Sequence, residues 1–101
     1  MIIAVTSSGT VELRDAENFR AFKIIDETGG ATVLADCLSG LATLTPDGQA
    51  AWVDPGELAV LAGADATEAW RASLAGMILA ARRYGWVNEA DGSVRAHIEV
   101  V

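Results

Sequence analysis

Arg95, His97 and Glu99 stand at alternate positions near the end of the chain. In an extended strand such side chains leave on one face, about 6.6–7 Å apart. A histidine titrating near neutral pH beside a carboxylate is the smallest unit of general acid–base chemistry. In that reading His97 is the acid or base, Glu99 its orienting partner and Arg95 the anion binder. The same alternation is what a wetted sheet face requires of its outward residues. A concave apolar wall beside His97 is therefore what separates a site from a solvated row.

The other reactive side chains are fewer. Cys37 is the single cysteine; with Asp36 next to it, nothing nearby lowers its pKa, and free cysteines favour cores. One histidine and one cysteine do not complete a tetrahedral zinc site within one chain. Asp47, Asp54 and Glu57 lack the alternating spacing of a calcium loop. No phosphate-binding glycine motif or nucleophile elbow is present. Neither a metal nor a cofactor is implied. Trp52, Trp70 and Trp86 bring large apolar area with a polar tip, the composition of a small apolar-ligand pocket. Trp70 and Trp86 lie about 24 Å apart along a helical path, too far to share one compact pocket unless Trp86 folds back.

The charge pattern excludes some partners. The 101 residues carry 14 acidic and 7 basic groups, a net charge of −7. No lysine or arginine occurs between Ile24 and Trp70, a stretch with eight carboxylates. Such a surface repels phosphate backbones and anionic bilayers, so neither nucleic acid nor membrane is expected as a partner. No apolar run reaches a bilayer-spanning length, and the first residues lack the basic, apolar pattern of a signal peptide. With a lone cysteine, these features point to a cytoplasmic protein. High alanine content and arginine in preference to lysine suggest a GC-rich bacterial genome.

These side chains must be positioned by elements that the same sequence specifies. The pattern gives strands over 2–6 and 10–14 around Ser7-Ser8-Gly9, then Asp15 as the cap of a helix over 16–28 that buries Phe19, Phe22 and Ile25. Residues 31–39 fit either a short helix or a buried strand. Strands over 41–45 and 49–53 flank the Pro46-Asp47-Gly48 turn. Asp54-Pro55-Gly56-Glu57 opens a short helix, Pro55–Ala62, closed by Gly63. Asp65-Ala66-Thr67-Glu68 opens the main helix, which runs to Tyr84. A final hairpin is expected over 86–88 and 94–101.

The main helix carries a core stripe of Trp70, Leu74, Met77, Ala81 and Tyr84. Beside it runs a strip of small residues, Ala69, Ser73, Gly76 and Ala80, and Leu79 points away from both. That arc is wider than one sheet face covers, which suggests a homodimer burying part of it. The expected architecture is a single α+β domain, residues 1–101: a two-layer sandwich of four to six antiparallel strands with two to four helices, in ferredoxin-like or similar order. The function expected is a non-enzymatic module that self-associates or binds a protein. The alternatives are a small dimeric enzyme using His97 and a small apolar-ligand binder.

Overall fold

Ile24 and Ile25 set the topology. The computed structural model describes residues 1–101, and in it Lys23–Asp26 is a strand rather than the end of a helix. β-Branched side chains at consecutive positions favour pleated backbone, and the burial alternates, with Ile24 and Asp26 inward. Asp15 takes a left-handed conformation, φ 49°, which aspartate tolerates better than most residues. It turns the chain instead of capping a helix. Residues 15–22 form an irregular segment folded against the start of the sheet, where the Met1 nitrogen donates to the carbonyls of Asn18 and Ala21.

The elements follow in the order β1 (Ile2–Val5), β2 (Val11–Arg14), β3 (Lys23–Asp26), α1 (Ala31–Cys37), β4 (Ala42–Leu44), β5 (Ala50–Val53), α2 (Pro55–Ala62), α3 (Glu68–Arg82) and β6 (Val94–Val100), with a single 3-10 turn at Gly63–Asp65. All six strands join one sheet in the order β2-β1-β3-β6-β5-β4. β1 pairs with β3, and β3 with β6, in parallel, while the remaining pairs are antiparallel. The sheet is thus mixed and strongly curled into a half-barrel. This overturns the expected antiparallel two-layer sandwich and its ferredoxin-like order. The physical reason is the extra strand supplied by Lys23–Asp26, which sits between β1 and β6 and runs parallel to both.

The inner face carries the main core, with Ala81, Val87 and Val94 as a small satellite cluster. Ile3, Val5, Ile24, Ala51, Val53 and Ala96 pack against Leu34, Leu38, Leu58, Trp70 and Leu74 from the helical side. Alanines on both sides of that contact let the helices approach closely. The Asp54 carboxylate accepts from the Gly56 and Glu57 amides and starts α2. Thr67, not Asp65, caps α3, its hydroxyl accepting from the Trp70 amide. The expected terminal hairpin is reduced to one bridge, Val87 with Val94. Residues 86–88 are otherwise irregular, held by Arg95 N–H to the Trp86 carbonyl and Asn88 N–H to the Ser93 carbonyl.

Candidate functional site

The outer face of the sheet holds the first candidate. His97 Nε2 lies 3.2 Å from one Glu99 oxygen, and Lys23 Nζ lies 3.1 Å from the other. The hydrogen bond from His97, and next that from Lys23, hold the Glu99 carboxyl below the usual range. Glu99 is therefore a fixed anion between two cations or donors. The His97 and Glu99 side chains are 56 % and 48 % exposed, and neither lines the aromatic cleft beside Trp86, the polar hollow beside Trp52 or the three shallower clefts at residues 15–18, 64–73 and 37–41. Arg14 continues the row, bridging Glu12 and Glu27. The geometry is that of a charged, wetted face, and exposed pairs of this kind contribute little to stability.

The three tryptophans go to three places. Trp70 is buried, donates from Nε1 to the Ala16 carbonyl at 2.8 Å, and meets the Phe19 ring at 5.9 Å. It anchors residues 15–22 to α3. Trp52 borders a polar hollow with Asp54, Asn88, Asp91 and Ser93. The carboxylates there are occupied locally. Asp54 caps α2, and Asp91 accepts from the hydroxyl and amide of Ser93, which hold it below its ordinary pKa. No group of three or more histidine, cysteine or carboxylate side chains is arranged to hold a metal ion.

Trp86 lines the most apolar cleft. The left-handed Gly85, φ 73°, reverses the chain so that Tyr84 and Trp86 stack, their centroids 4.8 Å apart. The register of β6 explains the opening. Lys23 of β3 is level with His97, whereas Trp86 is bonded beside Arg95 on the same edge. Two segments thus approach that edge from either side of Ala96, and a cleft of about 230 Å³ lies between them. Phe19, Phe22, Met77, Tyr84, Trp86 and Val94 wall it, and Arg20, Ala80, Ala81 and Arg95 complete its lining. Neither arginine belongs to an ion pair.

Of the expected ligand residues, only Arg95 and Trp86 meet in this cleft. Phe19, Arg20, Phe22 and Tyr84 were not singled out by the sequence as ligand-binding, because the helix expected over 16–28 hides their convergence. The Tyr-Gly-Trp order is the one local signal, since a left-handed glycine can stack the aromatics on either side.

The outer surface of α3 is the third candidate. Ala69, Ser73, Gly76, Leu79 and Ala80 are all exposed. From residue 72 to 81 the helix carries no charged side chain, although six of those ten residues face solvent. A Cβ added to Gly76 would meet nothing within 4 Å. Leu79 is 59 % exposed, and Tyr84 and Trp86 follow at the end of the same helix.

No family model matches the chain, and neither the curated proteins nor the solved structures compared with it give a match. No helix is long and apolar enough to cross a membrane.

Proposed function

We propose that this chain is a non-enzymatic domain that pairs with a second copy of itself across the outer face of α3. The observation that carries the reading is the uncharged stretch 72–81, six of whose residues are exposed, in a protein where 21 % of residues are charged. A solvated helix face is ordinarily lined by charged and polar side chains. Here Arg71 and Arg82 bound a smooth surface of Ala72, Ser73, Ala75, Gly76 and Ala80, with Leu79 protruding from it. Glycine inside a helix costs about 1 kcal/mol relative to alanine. No intrachain neighbour of Gly76 requires that absence of a side chain. A backbone packed from outside does, and a two-fold axis across the strip sets Leu79 of each copy on the alanines of the other.

Sedimentation velocity at about 50 µM tests the pairing, a concentration at which an association free energy near −6 kcal/mol populates the dimer. A dimer is expected for the unaltered chain and a monomer for Leu79→Glu and for Gly76→Arg. Both variants replace exposed residues with good helix formers, so the far-ultraviolet circular dichroism should be retained. A strict monomer from the unaltered chain removes the proposal. So does a dimer that both variants leave intact.

A further inference from the structure

The geometry points to a binding site for a small aryl carboxylate in the cleft between residues 19–22 and Trp86. The inference rests on a different observation from the pairing of α3, with whose proposed surface the cleft shares Ala80 alone. Four of its ten lining residues, Phe19, Phe22, Tyr84 and Trp86, are aromatic, and flat walls of this kind hold a flat apolar body by stacking. The volume of about 230 Å³ lies below the roughly 300–1,000 Å³ usual for ligand pockets. That size admits one or two rings and excludes a long acyl chain.

The charge of the occupant follows from the arginines. The protein is acidic overall, yet two arginines, Arg20 and Arg95, are among the residues lining its most apolar cleft, and neither has a carboxylate partner within ion-pair distance. A guanidinium beside apolar walls favours a carboxylate, which it can bind through two parallel hydrogen bonds in a partly desolvated setting. Asp47 lies close enough to Arg95 to be influenced by its charge, though it is not paired with it. Arg20 belongs to no ion pair and is assigned as the principal anion contact. The ring stacks against Tyr84 and Trp86, and the carboxylate turns toward Arg20 at the mouth.

Titration of the ¹⁵N-labelled protein with indole-3-acetate and, separately, with the neutral indole-3-acetamide tests the assignment. The acid should saturate with a Kd on the order of 1 mM or tighter, moving the Trp86 indole N–H and the Gly85 amide. The amide has the same shape without the charge, and should bind about tenfold more weakly. Arg20→Ala should weaken the acid by about tenfold and leave the amide unchanged. Arg20 is exposed, so this variant keeps the fold. Leu79→Glu should bind the acid as the unaltered chain does, which separates the cleft from self-association. Equal affinity for acid and amide overturns the assignment, as do shifts centred on Trp52 or Trp70, or no saturation by about 5 mM.

Discussion

Glu99 is a carboxyl shared by two neighbours on the open face of the sheet. His97 and Lys23 hold its carboxyl below the ordinary range, but all three groups stand outside the clefts. A carboxyl depressed in the folded state adds stability at pH values above its unfolded pKa and loses that contribution as pH falls through the depressed value. The change should therefore be confined to acid conditions below about pH 4.5. A ¹³C-detected titration should find the Glu99 carboxyl below its ordinary value, and rising toward it in His97→Ala and in Lys23→Met. A His97→Ala variant with an unmoved Glu99 would contradict the pairing. The Arg95, His97, Glu99 row was legible from alternation alone. That the arginine would join an aromatic cleft while the histidine stayed on the open face was not, because the segments that form the cleft walls belong to other parts of the chain. Gly85 offers a local check on that cleft. Its φ of 73° strains any other residue by about 1 kcal/mol, so Gly85→Ala should lower stability by about that amount and disturb the Tyr84–Trp86 stack, seen as altered near-ultraviolet circular dichroism.

At the scale of elements, signals held within four residues were the readable ones. Asp54-Pro55-Gly56-Glu57 fixed the start of α2, and the helix spans Pro55–Ala62 because the cap, the proline and the terminal Gly63 all act locally. Replacing Asp54 with alanine should cost about 1 kcal/mol, measured as a shift in the urea midpoint at unchanged slope. No shift would mean the two amides find water equally well. The segment 15–28 failed for the opposite reason. Phe19, Phe22 and Ile25 carry helical spacing, but Ile24 has a place waiting between Ile3 and Ile98, and long-range strand pairing outweighs weak local propensity. Ile24→Ala removes a fully buried side chain from the middle of the sheet. It should cost about 2–5 kcal/mol, far more than the cap, which marks β3 as structural rather than peripheral. The terminal hairpin illustrates a third case. Its turn, Asp91-Gly92, was legible, yet β3 occupies much of the β6 edge and leaves residues 86–88 a single bridge.

For the whole molecule, net charge decides how self-association should respond to salt. Each copy carries −7, and two copies brought together repel over the distances set by the Debye length, about 30 Å at 0.01 M and about 3 Å at 1 M salt. The molecule is only 34 × 29 × 21 Å, so at low ionic strength the charges of one copy are felt across most of the other. The proposed contact surface is uncharged, with Arg71 and Arg82 only at its ends, and its attraction comes from apolar burial, which added salt does not screen. The dimer should therefore tighten as salt rises, the reverse of an interface held by ion pairs. Sedimentation equilibrium across that range of sodium chloride measures the effect directly. A dissociation constant that falls with salt fits the α3 face. One that rises with salt would instead mean that an acidic surface of one copy meets arginines of the other, and would move the contact away from residues 72–81.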